Sequence, residues 1–263
     1  MWRLRSAAKT SVLSLLWTYG KVAAQPAEPQ IAVLNYHDIE DDVRNPFTVT
    51  RRNFAAQVRS IHRAGFIFLD GAGFQRLMTR GAPASGARSV LMTFDDGYAS
   101  FEVDAAPVLR EYGASALIFV HTDRGSRQIE TERPLLDWDA VGRMQSEGFE
   151  IGNHSHSHRS CGTLSNVELD EELGRSEEIL RERTGSVPRF FAYPGGVADK
   201  RMEAKLIRNG YVGAFGGGQG RTSPSSNPMN RDRICVRRET SRRQLHLALD
   251  GALDRYEALR GRR

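Results

Sequence analysis

The sequence predicts an α/β chain folded as a single distorted (β/α) barrel with a C-terminal helix. Three observations carry that expectation. Short apolar runs alternate with helix-like stretches along most of the 263 residues, and repeated strand–helix alternation implies a parallel sheet. No strong internal boundary divides the chain after residue 30. Polar residues capable of chemistry follow four separate strand-like runs, and barrels keep their sites just beyond the C-terminal ends of strands.

The elements follow in order. Ile31 to Tyr36 reads as a strand ending at His37. Arg52 to Ala64 reads as an amphipathic helix, because Phe54, Val58 and Ile61 recur at helical spacing and Gly65 closes it. Phe66 to Leu69 is a strand, Gly73 to Met78 a helix, and Arg80 to Arg88 a Gly/Ala/Pro/Ser loop. Val90 to Phe94 is a buried strand running straight into Asp95-Asp96-Gly97. Ala105 to Tyr112 is a helix, Ala116 to Val120 a strand, and Asp139 to Glu147 a helix closed by Gly148. Phe149 to Gly152 is a strand leading into a histidine cluster. Asn166 to Thr184 is a charged amphipathic helix, and Phe190 to Tyr193 a strand ending in Pro194-Gly195-Gly196. Asp199 to Asn209 is a helix, Val212 to Phe215 a strand, Gly216 to Asn230 a loop, and Ile234 to Val236 a last strand. Arg242 to Leu259 reads as one helix, with Leu245, Leu249, Ala252, Tyr256 and Leu259 on one face.

Composition narrows the classes of function. A chain that is 40% hydrophobic and 26% charged is soluble and globular. After residue 30 no apolar stretch approaches the roughly 18 residues of a membrane span. The net charge of +5 first suggests an acidic partner, but its location argues otherwise. Residues 1–24 carry Arg3, Arg5, Lys9 and Lys21 with no acid, and residues 231–263 hold ten Arg against five acids. The body between is net negative, whereas a nucleic-acid binder carries its basic stripe on the folded body. Cys161 and Cys235 are too few for a disulfide scaffold or a cysteine-built zinc site.

Residues 1–24 read as a secretory signal peptide. A basic, acid-free start (MWRLRSAAKT) precedes a short apolar core (SVLSLLWTY) and the small-residue site Val22-Ala23-Ala24. An uncleaved anchor or an amphipathic N-terminal helix is the alternative. Residues 25–30 form a polar linker and 31–263 the domain. The expected location is the periplasm or cell envelope, with no stable membrane insertion after cleavage. There Cys161 and Cys235 could pair or remain two buried thiols.

Three of the seven histidines fall within His154-Ser-His156-Ser-His158. If the segment turns helically, His154 and His158 share a face, as chelation requires, and His156 points elsewhere. Asp95 and Asp96 end a buried strand, where one carboxylate can bind a metal while the other handles a proton. An Asx turn or helix cap is the structural alternative for that pair. Two His and one Asp leave coordination positions open, the feature that separates catalytic from structural metal sites.

Thr93-Phe94-Asp95-Asp96-Gly97-Tyr98, followed by the His154–His158 cluster, resembles the polysaccharide deacetylase family (carbohydrate esterase family four, the NodB-homology domain). Leu136-Asp-Trp138-Asp-Ala-Val and Phe191-Ala-Tyr193-Pro194-Gly195-Gly196 resemble further family segments, so the match runs from about Ile31 to Arg238. The resemblance implies a distorted β/α barrel, one divalent metal ion, and hydrolysis of N-acetyl groups on sugars. It implies Asp95 as general base, Asp96, His154 and His158 as metal ligands, and the Gly195 backbone N–H as oxyanion donor. Zinc suits such ligands, as do cobalt, nickel or iron.

Two departures stand out. The family's third motif carries an arginine that orients the base and a tyrosine; here Ala192 and Gly195 occupy those positions, and Arg189 is close in sequence. The family's C-terminal acid histidine has no good counterpart, since His246 lies in the tail helix. A strand-ending histidine instead appears early, in Val33-Leu-Asn-Tyr36-His37-Asp38. This permuted order resembles the exported N-deacetylases of poly-β-1,6-N-acetylglucosamine and implies His37 as general acid. His62 and His121 read as ordinary helix and strand-end residues. Other acetylated glycans are the alternative substrates: chitin oligomers, peptidoglycan, an O-acetyl ester or a lipid-linked sugar. Loops Arg124 to Arg133 and Gly216 to Asn230 would select among them. A carbohydrate-binding pseudoenzyme is the reading from a different class, and the intact Asp95, Asp96, His154 and His158 argue against it.

Overall fold

The computed structural model describes residues 10–16, 18, 28–42, 45–80, 88–123 and 133–259. Among these residues one sheet contains β1 (Ala32–Tyr36), β2 (Ile67–Leu69), β3 (Ser89–Phe94), β4 (Leu117–Val120), β5 (Glu150–Asn153), β6 (Phe190–Ala192), β7 (Gly213–Gln219) and β8 (Arg231–Cys235). Every ladder between these strands is parallel. β1 pairs with β8 on one side and β3 on the other, so seven strands close into a barrel in the order β1, β8, β7, β6, β5, β4, β3. β2 and β4 share one edge of β3: β2 takes Ser89 to Leu91 and β4 takes Thr93 and Phe94. This wedge distorts the expected barrel.

Strand side chains alternate between the lumen and the outer helices. Val33, Leu91, Leu117, Phe119, Phe190, Ala192 and Phe215 fill the lumen. Helix α2 (Gly71–Arg80) closes its N-terminal end with Phe74 and Met78, and Phe74 stands 5.7 Å from Phe215. The opposite strand faces pack on helices. Leu34, Tyr36, Met92, Phe94, Ile118 and Ile151 meet α1 (Arg51–Arg63), α3 (Ala106–Glu111), α4 (Trp138–Ser146) and the tail helices in one core. Phe191, Tyr193 and Ala214 meet α5 (Asn166–Thr184) and α6 (Lys200–Arg208) in another. Each buried large apolar side chain contributes roughly 1.5–3 kcal/mol, and the lumen and both outer cores together position the C-terminal rim.

Several boundaries follow from local chemistry. α5 begins on a reciprocal capping box between Ser165 and Glu168 and ends on Gly185 in the left-handed region. Thr50 caps α1 and Asp137 caps α4, each accepting a backbone N–H.

Three expectations need correction. The tail is two helices, α7 (Arg242–Leu249) and α8 (Ala252–Leu259), broken at Gly251 with φ 86. The expected loop from Gly216 begins as strand, because β7 runs on to Gln219. β8 starts at Arg231, three residues earlier than apolar content indicated. Cys161 and Cys235 are both free thiols, Cys161 buried in the core under α5 and α6. Residues 10–16 are helical; Leu13 is buried, and Gln244 on α7 donates to Thr10 Oγ1 at 2.8 Å. The expected cleavage site at residues 22–24 and most of the loops at 80–88 and 124–133 lie outside the described residues. No helix among the described residues is long and apolar enough to cross a membrane.

Candidate active site

The polar residues singled out by sequence converge at the C-terminal rim of the barrel. β3 ends at Phe94 and delivers Asp95 and Asp96; β5 ends at Asn153 and delivers His154. Asp96 Oδ1 lies 3.4 Å from His154 Nε2 and 3.3 Å from His158 Nε2. The ligand atoms of these three residues all fall within 4.8 Å of one another.

The His154–His158 spacing does not act through a helix. The chain leaves β5 in a turn in which Ser155 and His158 both have positive φ, 65 and 59. Among the described residues the only other positive-φ non-glycine is Asp96, at 71. All three thus sit at the site, where such backbone strain concentrates. The turn is held from several sides. Asn153 Oδ1 accepts the Ser155 N–H at 2.8 Å, while its Nδ2 donates to Ser176 and Tyr211, each at 2.8 Å. Glu172 on α5 accepts the backbone N–H groups of His156 and Ser157 at 3.0 and 2.8 Å. His156 turns away, its Nδ1 2.8 Å from Thr122 Oγ1. Sequence reading missed Glu172; its one signal was an acid on the inward stripe of α5, beside Leu169, Leu173 and Ser176.

The donor set fits a divalent cation. His154 Nδ1 lies 2.7 Å from the Ala192 carbonyl, which takes its proton and leaves Nε2 with a lone pair. That lone pair faces the Asp96 carboxylate, an acceptor against an acceptor that a cation between them would reconcile. Two imidazole nitrogens and one carboxylate oxygen are ordinary ligands for zinc and its neighbours. Where a proton rather than a cation stands between them, hydrogen bonding with His154 and His158 outweighs burial, which alone would raise the Asp96 pKa, and holds it well below the usual carboxylate range. Burial would lower His154, yet the carboxylates of Asp96 and Asp95 outweigh it and raise the pKa.

Asp95 is held apart from the three. Arg233 on β8 grips both its oxygens, Nη1 to Oδ1 at 2.8 Å and Nη2 to Oδ2 at 2.7 Å. Burial opposes ionisation of Asp95, and the Arg233 charge, with His154, prevails and lowers its pKa. Arg233 Nη1 lies 3.3 Å from Thr93 Oγ1, and its Cζ stands 5.9 and 5.8 Å from the rings of Phe119 and Phe215. Arg189 does not fill this role: it is exposed and bonds Gln75 near the far end of the barrel. The arginine that pairs with Asp95 therefore comes from β8 and not from the position beside β6. Its only sequence signal was two arginines at strand spacing before Ile234.

His37 reaches the site from β1. The β1–β3 register pairs Tyr36 with Phe94, and Asp95 N–H donates to Tyr36 O at 2.9 Å, so His37 and Asp95 leave the sheet at one level. Burial lowers the His37 pKa, while the charges of Asp96 and Asp95 oppose that shift. Its Nδ1 is buried without a partner among the described residues, and Phe47 stands 5.0 Å away, ring to ring. Gly195 follows β6 in a turn with φ 64 that requires glycine. It is exposed, three residues beyond the carbonyl that orients His154. His121 is buried with its ring 6.0 Å from His158, and His246 contacts Ser60 on α1.

Comparison with known proteins places this geometry in company. A family model described as polysaccharide deacetylase matches residues 82–214. A chitooligosaccharide deacetylase of Bradyrhizobium is 33% identical over 128 residues, 48% of this chain and 54% of that protein. A chitin deacetylase of Colletotrichum lindemuthianum is 25% identical over 122 residues, 46% and 48% of the two chains. The chain thus spans about half the length of these curated relatives. Among solved structures, the Streptococcus pyogenes deacetylase PplD, solved with acetate, superposes with a TM-score of 0.76 at 22% identity, covering 85% of this chain and 99% of its own. IcaB of Ammonifex degensii gives 0.73 at 24% identity, covering 84% and 97%. At these identities the likeness concerns the fold.

Proposed function

The chain belongs to the polysaccharide deacetylase family, and on that premise we propose that it hydrolyses N-acetyl groups of N-acetylglucosamine residues in an exported polysaccharide. The observation that carries this reading is the meeting of two different carboxylates: Asp96 facing two imidazoles, and Asp95 gripped by Arg233 beside them. In this reading one carboxylate holds a cation and the other moves a proton.

When bound by Asp96, His154 and His158, a divalent cation supplies Lewis acidity toward an acyl oxygen and acidifies water. Asp95 takes the proton of the attacking water as the new C–O bond forms. Arg233 keeps Asp95 ionised and aimed, a positioning role. The Gly195 N–H donates to the oxygen on which charge develops, where a preorganised donor is most effective. His37 delivers a proton to the leaving nitrogen as the C–N bond breaks, giving acetate and a free amine. That amine is cationic at neutral pH, so each turnover adds positive charge to the polymer.

Poly-β-1,6-N-acetylglucosamine is the substrate we favour. Its support is the acid histidine on the first strand together with Phe-Ala-Tyr-Pro at the end of β6. Acetate release from β-1,6-linked and β-1,4-linked N-acetylglucosamine oligomers, each with and without chelator, tests the reading. Faster release from the β-1,6 series, abolished by chelator, is expected. Equal or faster release from the β-1,4 series would move the substrate to chitin or peptidoglycan, and no release from either would end the proposal.

A further inference from the structure

The far end of the barrel holds a charge that the active site does not use. β8 directs Arg231 and Arg233 to one face, two residues apart. Arg233 meets Asp95 at the rim, whereas Arg231 sits at the strand's start among residues that close the N-terminal end. Arg231 is 4% exposed. Its Nη1 donates to Thr222 Oγ1 at 3.3 Å and to the Ser223 carbonyl at 2.9 Å, and its Nε is buried with no partner among the described residues. Among the described residues no carboxylate forms an ion pair with it. The Phe74 ring, 5.7 Å from its Cζ, offers a polarisable face but no compensating charge. Burial pushes the guanidinium down to about 10, which still leaves it cationic at neutral pH. A buried, uncompensated charge is among the least favourable features a fold can retain.

The same arginine lines a cavity of about 210 Å³. The apolar part of its wall is Phe74 and Met78 of α2, Phe190 and Val212 at the starts of β6 and β7, and Pro224 and Pro228. Its size is below the roughly 300–1,000 Å³ of sites for drug-sized ligands, which excludes a sugar chain or a nucleotide. Its sign calls for an anion. The planar fork of a guanidinium matches a carboxylate, and the apolar wall matches a short hydrocarbon body better than a bare hydrated ion. We propose that this cavity binds a small monocarboxylate, its oxygens on Arg231 and its alkyl body against Phe74, Met78 and Pro228. The site lies at the opposite end of the barrel from the acetamide chemistry and does not depend on it.

Butyrate is the probe, titrated into the full chain at constant ionic strength with chloride as the balancing anion. Ligand that binds only the folded state raises the melting temperature with the logarithm of its concentration. A rising midpoint is expected with butyrate, none with the neutral isostere butyramide, and none in Arg231→Gln. Asp96→Asn should keep the response, which separates this cavity from carboxylate binding at the active site. Should Arg231→Gln fail to fold, Met78→Trp fills the cavity while keeping the guanidinium and should abolish the response. The proposal is overturned by no response, by an equal response to butyramide or chloride, by a response that survives Arg231→Gln or Met78→Trp, or by its loss in Asp96→Asn.

Discussion

Adjacent identical side chains can stand in quite different surroundings. Asp95 and Asp96 are consecutive and both buried, yet one faces a guanidinium and the other two imidazoles. This separation makes two predictions at single positions. Asp95→Asn should abolish acetate release while the purified protein keeps its metal, measured by elemental analysis; surviving activity would remove Asp95 from the mechanism. Arg233→Met should leave a buried carboxylate uncompensated and destabilise the fold by roughly 3–5 kcal/mol in urea melts, as broken buried pairs do. The double variant Asp95→Asn/Arg233→Met should be less destabilised than Arg233→Met alone, since the orphaned charge is then gone. The two aspartates were legible as a pair in the sequence because a charged doublet after a buried strand is a local anomaly. Arg233 was not, because it lies 138 positions from its partner, and a long-range ion pair leaves no local pattern.

At the scale of elements, the turns that end strands govern the site. Gly196 has φ 72, and a Cβ there would stand 2.7 Å from the Gly217 Cα on β7. Gly196→Ala should therefore push the Gly195 turn off β7. Acetate release is expected to fall at least tenfold while circular dichroism keeps its β/α signature; unchanged turnover would show that the Gly195 N–H is not needed. The helix packing of α7 on α1 offers a pH test. Burial lowers the His246 pKa, Asp250 opposes it, and Arg88 and Arg242 reinforce it. The unfolded chain then binds the proton more readily than the folded one, so stability falls as pH drops through about 6.5 and levels off below the folded value. His246→Gln should flatten that segment in urea melts across pH; an unchanged slope would place the titration elsewhere. Helix α5 was readable to the residue because Ser165, Glu168 and Gly185 mark its ends in chemistry that acts within one turn. The tail was misread as one helix because an apolar stripe can continue across a glycine break that lets the chain turn.

The whole molecule joins distant segments into a group that could hold one metal ion. Asp96 comes from β3 and the histidines from the end of β5, each anchored by a different strand. Chelator should lower the melting temperature, added zinc should restore it, and Asp96→Asn should show neither effect in the same thermal scan. The sequence by itself determined the strand–helix alternation, the Asp-Asp and His-x-x-x-His segments and the family, because each is written in residues near one another along the chain. Only the tertiary structure decided that seven strands close the ring, that β8 supplies the arginine for Asp95, that Glu172 braces the histidine turn, and that Arg231 meets no acid among the described residues. Those outcomes depend on strand order and register, and pairing between strands far apart in the chain arises from collective packing rather than from any local run of residues.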